Sequence, residues 1–209
     1  MTEIQSKSAF LYREVRHALR SGRYLPGERI DPATLAETFH ASPTPVRFAL
    51  YRLVGEGLIT DHGRSGLYVP LPTEVVLRDL FDWMRRLLLM ACDIRAETGH
   101  GGTVDPEPDA DGDDTASLTW ALFDAIARAS DQRSLYLAAE QANDRLAPIR
   151  QVGQGFFDDA REELMTLTED WARQDIDSLR SGLDAYHERR RQLVPEIVAM
   201  LGDASGLPH

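Results

Sequence analysis

The stretch from Asp31 to Val69 constrains the fold more than any other part of this 209-residue chain. Asp31 precedes Pro32, and apolar spacing predicts a short helix from Pro32 to Phe39. Proline is tolerated in a first helical turn because its missing N–H would be unpaired there anyway, and an aspartate just before it can accept from an orphan N–H. Ala41-Ser42 reads as a tight turn. A further helix is expected from Pro43 to about Gly55, with Ser42 as its cap and Val46, Leu50, Leu53 and Val54 as its buried stripe. Two β-prone runs, Leu58–Thr60 and Leu67–Val69, bracket the glycine-rich segment Gly63–Gly66 and predict a hairpin. Upstream, Phe10, Leu11, Val15, Ala18 and Leu19 recur at helical spacing over residues 6–21; Gly22 ends that helix and Pro26-Gly27 turns the chain.

Helix, turn, short helix, turn, helix and two-stranded wing is the layout of a winged helix-turn-helix. Such a unit reads duplex DNA when its last helix projects polar atoms into the major groove and its wing reaches a neighbouring groove or the backbone. Thr44 and Arg47 lie three residues apart at the start of that helix and share one face. His62, Gly63, Arg64, Ser65 and Gly66 form the wing tip, where glycine permits close approach to phosphate. The net charge of −11 argues against a nucleic-acid partner until it is divided. Residues 1–72 hold nine Lys or Arg against seven Asp or Glu, or +2, and the remainder therefore carries −13. A basic head on an acidic body lets one face approach phosphate while the body is repelled. Ordinary drift in composition between domains gives the same split, so charge alone decides nothing.

The run LYREVRHALRSGRYLPGERI, followed by LAETFHASPTPVRFALYRLVGEGLI, closely resembles the DNA-binding domain of the GntR family of bacterial regulators. The likeness covers about residues 8–70 and includes the SGR-x-x-PGE turn and the TPVR helix start. It implies a cytoplasmic homodimer that binds a pseudo-palindromic operator in double-stranded DNA and is released or tightened by a metabolite. It also implies base or phosphate contacts from Ser42, Thr44 and Arg47 and from the wing at His62–Gly66. Two departures matter: Pro43 stands where the family usually has its first Arg, and Phe48 where an acid usually follows the second. One arginine fewer removes a potential bidentate guanine contact of roughly 1–3 kcal/mol. Either the operator differs, or Arg64 and Arg52 compensate.

Pro70 and Pro72 frame a short linker, beyond which the pattern is helical throughout. Helices are expected at about 73–97, with Thr73 as cap, and at 115–130, 133–147, 156–173 and 176–201. The segment 98–114, TGHGGTVDPEPDADGDD, buries too little to offset its ordering entropy and is expected to be a mobile acidic loop; the tail GDASGLPH reads as frayed. The fold class is thus mainly α: a winged helix-turn-helix on residues 1–72 and an antiparallel all-helical bundle on 73–209. The bundle resembles the FadR-type branch of the family, with its FCD-like domain that often holds a metal through one Asp and three His. LFDAIARASDQ (122–132) and EELMTLTEDWARQDIDSLRSGLDAYH (162–187) set the register. In it those four positions fall on Trp120, Asp124, Leu164 and Tyr186, with His187 one step off. A pocket Arg falls on Met84 and a nearby acid on Leu88.

A divalent site needs several converging N or O donors, and Asp124 with His187 is too few. No metal and no other cofactor is therefore expected. A pocket in this register has a largely apolar wall, which suits an effector with a sizeable hydrophobic part. The alternative is that these side chains fill the core, leaving a constitutive DNA-binding protein with a vestigial, ligand-free bundle. A third reading makes the winged helix a protein-docking module. Arg85, Arg86, Arg128, Arg133, Arg145, Arg150 and Arg161 could each neutralise an anion, but a surface role is expected for each. No nucleophile set, phosphate loop or paired-carboxylate motif marks an enzyme. No apolar run approaches the roughly 20 residues of a membrane span. The start MTEIQSKSAFLYREV lacks a signal core, and the single Cys92 reads as a small buried residue, so a cytoplasmic regulator, most simply a repressor, is the expectation.

Overall fold

The computed structural model describes residues 2–98, 104–107 and 114–205. Helix α1 (Thr2–Arg20) buries Leu11, Tyr12, Val15, Ala18 and Leu19. Phe10, expected in that stripe, is largely exposed and meets Phe39 edge-on with ring centroids 6.0 Å apart. After the turn, strand β1 (Arg29–Ile30) leads into α2 (Pro32–Thr38), whose first turn is capped by the Asp31 carboxylate accepting from Ala33 N at 2.9 Å. Helix α3 (Pro43–Gly55) buries Val46, Ala49, Leu50 and Leu53, with Val54 half-buried. Ser42 has the extended backbone of a cap, but its side chain makes no cap hydrogen bond.

The wing comprises β2 (Thr60–Asp61), one 3₁₀ turn (Gly63–Ser65) and β3 (Leu67–Tyr68). It starts two residues later than the apolar pattern implied, because Leu58 and Ile59 turn into the core instead of joining the ladder. Strand β3 is central and antiparallel to both neighbours, pairing Tyr68 with Thr60 on one side and with Arg29 on the other. No residue pattern marks β1 in advance, since two residues carry no periodicity. It forms because the Pro26-Gly27-Glu28 turn folds back: Gly27 is left-handed (φ 86°), its N–H reaches Val69 O at 2.9 Å, and the Glu28 carboxylate accepts from Leu25 N at 3.0 Å. One apolar cluster, made of residues between Leu11 and Val69, unites α1, α2, α3 and the sheet.

A second apolar cluster, between Leu77 and Leu201, lies among α4 (Glu74–Thr98), α5 (Thr115–Arg128), α6 (Arg133–Val152), α7 (Ala160–Arg173), α8 (Ile176–Gln192) and α9 (Val194–Ser205). The single helix expected over 176–201 is two, broken at Leu193. Pro195 lacks an N–H and restricts the residue before it, but suits the first turn of α9. Helix α6 runs past the expected 147 and carries Pro148 inside it. Of the segment expected to be a mobile acidic loop, residues 104–107 are irregular, with Val104 O accepting from Trp171 Nε1 at 3.1 Å, and Asp114 caps α5 through Ser117 N at 3.0 Å. Residues 99–103 and 108–113, and 206–209 of the tail, lie outside the described residues. Among the described residues, no helix is long and apolar enough to cross a membrane.

The two clusters meet where α1 crosses α6. Arg16 Nε donates to Asp144 Oδ2 at 2.5 Å and Arg16 Nη2 lies 2.9 Å from Glu140. Trp120 Nε1 donates to the other Asp144 oxygen at 2.9 Å, and the Arg20 guanidinium sits 4.1 Å above the Trp120 ring. The Asp144 side chain is 2% exposed. Burial pushes its carboxyl up to about 6, against the pull of Arg16 and Arg20, so it is charged at neutral pH. Asp144→Ala leaves Arg16 with Glu140 alone and strands the Trp120 N–H, and is expected to cost about 3–5 kcal/mol in urea unfolding. Arg86→Ala, on the exposed side of α4, is expected to change stability by less than about 0.5 kcal/mol.

His187 is another deeply buried titratable group, 1% exposed, with Nδ1 2.7 Å from Leu183 O and its ring stacked on Phe123. The short contact to a carbonyl places the proton on Nδ1. Burial drives its pKa down to about 3, helped by the nearby Arg150 and Arg190. The unfolded chain takes up a proton near 6.5 and the folded chain does not. This contribution to stability is therefore complete above about pH 6.5 and is lost as pH falls toward 3, by at most about 1.4 kcal/mol per unit. His187→Phe is expected to gain on the wild type as pH drops from 6.5 to 4, read as the difference in Tm across that range.

Candidate nucleic-acid interface and helical cavity

The outer side of α3 carries the candidate groove contacts. Ser42, Thr44 and Arg47 are all exposed, as the buried stripe on the opposite side requires. Phe48 and Tyr51 continue the same face from Thr44 and are 62% and 56% exposed. Sequence reading passed over these two aromatics as candidates. The signal was available: both fall off the stripe defined by Val46, Leu50 and Leu53, so they had to face outward. Arg52 is exposed too, but it turns back onto its own domain. Its Nε donates to Glu56 Oε1 at 3.1 Å and its guanidinium lies 3.7 Å over the Tyr12 ring, while Tyr12 OH donates to Glu56 Oε2 at 2.8 Å. Burial and the Glu56 contact together raise the Tyr12 phenol to about 12, keeping it a donor.

At the wing tip, His62, Gly63, Arg64 and Ser65 are exposed and Gly66 is half-buried. The loop closes on itself. His62 N bonds Gly66 O at 2.9 Å, Gly63 N bonds the Asp61 carboxylate at 2.8 Å, and Tyr68 OH bonds Ser65 O at 3.0 Å, with the His62 ring edge-on to Tyr68. Gly66 has φ 108°, a region that side chains avoid, and a Cβ there would lie 3.0 Å from Arg29 Nε. Both constraints require glycine and hold Arg64 at the apex.

The bundle contains a cavity of about 180 Å³, bounded by the start of α5, the end of α6, the start of α7 and one side of α8. Of the residues assigned to a pocket wall from the register, Tyr186 alone lines it. Met84, Leu88 and Leu164 are at most 5% exposed and belong to the apolar core. Trp120 serves the seam with α1 instead. Asp124 is buried against Arg128, and burial raises its pKa while Arg128 opposes the shift. His187 lies in the core behind Tyr186, with Nε2 buried and unpartnered among the described residues. Among the described residues, no three His, Cys, Asp or Glu side chains are grouped as a metal ion requires. In the register of the FadR-type resemblance, the positions of its Asp and three His hold Trp120, Asp124, Leu164 and Tyr186.

Arg150, expected on the surface, is 8% exposed and lines the cavity. Nη1 donates to Asn143 Oδ1 at 2.8 Å and the guanidinium lies 5.1 Å over the Phe123 ring. Nε and Nη2 are buried and have no hydrogen-bond partner among the described residues. Burial pulls its pKa below the ordinary value, with Tyr186 and Asp144 opposing. Arg190, also buried, is fully engaged by Glu163 at 2.7 and 3.1 Å and by Tyr186 O at 3.0 Å. A cue to the burial of Arg150 lay in the unbroken apolar run Leu146–Ile149 before it, since a helix apolar on all sides is enclosed.

Comparison with protein families matches residues 7–69 to the bacterial regulatory proteins of the gntR family. No curated protein matches the chain. Among solved structures, the chain is similar to E. coli McbR/YncC, at 20% identity and a TM-score of 0.70, over 91% of this chain and 97% of that one. It is also similar to a transcriptional regulator GntR from Rhodococcus sp. RHA1, at 16% identity and a TM-score of 0.73, over 91% and 98% of the two chains. These two likenesses concern the fold, a winged head followed by a helical bundle. The family match concerns the head, and its family is one of regulators rather than enzymes. The likeness to the gntR family of bacterial regulatory proteins thus stands for the head, residues 7–69, and the two solved structures add a likeness in fold over 91% of the chain.

Proposed function

We propose that residues 1–72 bind one half-site of a pseudo-palindromic operator, that two copies act together, and that a small molecule held by the bundle at 73–209 sets operator affinity. Repression inside the cytoplasm is the simplest form of this regulation. The reading rests above all on the exposed start of α3, where Ser42, Thr44 and Arg47 stand clear of the protein on a head of net charge +2. Arg47 reads a base edge and Ser42 and Thr44 contact base or phosphate. Phe48 and Tyr51, next on that face, suit the methyl groups of thymine. Arg64 and the backbone of Gly63, Ser65 and Gly66 meet the phosphates beside the groove, with His62 behind them. Arg52 supports α3 through Glu56 and Tyr12, so the compensation for the arginine absent at Pro43 falls to Arg64.

One winged head buries too little surface for tight, specific binding. An apolar stripe of Val76, Trp83 and Met90, exposed and seven residues apart on α4, fits a second copy of the same helix. The filled core at Met84, Leu88 and Leu164 favours the rival reading of a constitutive binder with no effector, which a ligand-dependent change in operator affinity separates from this one. Arg47→Ala is expected to weaken specific binding by about 1–3 kcal/mol while leaving Tm and non-specific binding nearly unchanged. Footprinting is expected to give two half-sites about a dyad, and Trp83→Glu to return the protein to a monomer protecting neither. Full operator affinity in a folded Arg47→Ala protein, or a monomer that protects one half-site, removes this interface from consideration.

A further inference from the structure

We propose that Phe48 is a specificity-determining residue that packs on the C5-methyl group of a pyrimidine in the major groove, so that operator affinity depends on the methyl state of that base. This rests on the reading of residues 1–72 as an operator-binding head, and it names the base chemistry that the head recognises. Phe48 is 62% exposed, on the side of α3 that also carries Thr44 and Arg47. Among the described residues, its ring stacks on no other ring and lies under no cation. An apolar ring held in water gains by covering an apolar group, and its surroundings decide which one.

Continuity with the DNA-facing residues assigns the ring to the groove. Thr44 precedes Phe48 by four residues and Tyr51 follows it by three, so all three share one side of the helix, next to Arg47. The apolar stripe suited to a second copy, Val76, Trp83 and Met90, lies on α4 instead. Side chains that wedge between base steps act from the minor groove, whereas a helix seated in the major groove meets base edges.

The rest of that side leaves the ring one task. Arg47 is its one outward-facing guanidinium, since Arg52 is drawn back by Glu56 and Tyr12. A phenyl ring has no donor and no acceptor, so it adds nothing at a phosphate and reads no hydrogen-bonding edge. The apolar group that a duplex presents in its major groove is the thymine methyl. 5-Methylcytosine carries the same methyl on the same ring carbon, so one chemistry has two sources. Covering a single methyl is worth roughly a 4-fold change in affinity. Tyr51, 56% exposed beside Phe48, widens the apolar surface that a methyl meets.

The test uses the full-length protein and a duplex that it enriches from a random-sequence library. Each thymine is replaced in turn by uracil, which removes the methyl and keeps the hydrogen-bonding edges. Each cytosine is replaced by 5-methylcytosine, which adds a methyl. At one position or more in each half-site, the methyl is expected to strengthen wild-type binding roughly 3- to 10-fold. A response to uracil assigns it to thymine, and a gain from 5-methylcytosine assigns it to a methylated cytosine. Phe48→Ala is expected to lose that response, and to bind the methyl-bearing duplex more weakly by the same factor. Phe48→Leu, still apolar, is expected to keep most of it. Because the ring is exposed, both variants are expected to stay within about 2 °C of the wild-type Tm. The role is overturned if no exchange moves wild-type affinity by more than about 2-fold, or if Phe48→Ala keeps the full response. It is also overturned if Phe48→Ala binds the methyl-bearing duplex as tightly as wild type. Failure to enrich any sequence removes the operator-binding reading as well. An enriched duplex that depends on Arg47 but on no methyl leaves that reading standing and removes Phe48 alone.

Discussion

The carboxylate of Asp144 is the point on which the relation between head and body turns. An ionised group 2% exposed is stable only when several donors converge on it, and they come from both sides of the seam: Arg16 and Arg20 from α1, Trp120 from α5. A buried pair of this kind contributes little net stability compared with an apolar contact of the same volume. Its effect is selective, because only one placement of α1 on α6 satisfies the carboxylate. Gln141, bonded to Glu56 O at the end of α3, and Gln151, bonded to Arg20 O, repeat the arrangement at two other points along α6. Helix α6 thus touches the head both at the end of α3 and at the end of α1.

The same helix accounts for most of the polar atoms inside the bundle. Asn143, Asp144 and Arg150 are all buried, and Pro148 between them removes the N–H that would have bonded the Asp144 carbonyl. Asn143 joins Arg150 to Trp120, so the polar groups form one connected chain rather than isolated penalties. Connected networks have few satisfied arrangements, which makes them suited to two discrete states instead of gradual deformation.

The head was legible in the sequence because its determinants are local. Asp31 before Pro32, Pro43 at a first turn, the Pro-Gly-Glu turn and the wing glycines each fix a boundary within four residues of themselves. Strand β1 escaped because its pairing partner, β3, lies nearly forty residues on and leaves no trace in two residues. The fate of Arg52 escaped for a related reason: its exposure follows from helical position, but its capture by Tyr12 depends on how α1 packs on α3. In the bundle, helix positions were legible and side-chain roles were not. Trp120 reads as a pocket wall from register alone, yet its ring lies under Arg20, a residue of the head that no bundle register includes.

The chemistry of the bundle follows from what replaced what. In the FadR-type resemblance, an Asp and three His imply a divalent ion, and such an ion places fixed positive charge inside an apolar bundle where an anion can meet it. Here Trp120, Leu164 and Tyr186 supply no equivalent set, and Asp124 is neutralised by Arg128. His187, one position past Tyr186, is held neutral by burial and bonded to its own helix. The positive charge in this interior is instead covalent. Arg190 is compensated within the protein by Glu163, and Arg150 is not. A guanidinium differs from a metal ion in directionality: it offers two parallel donors along one edge, in one plane, and the edge of Arg150 is fixed by Asn143 on one side and Phe123 beneath.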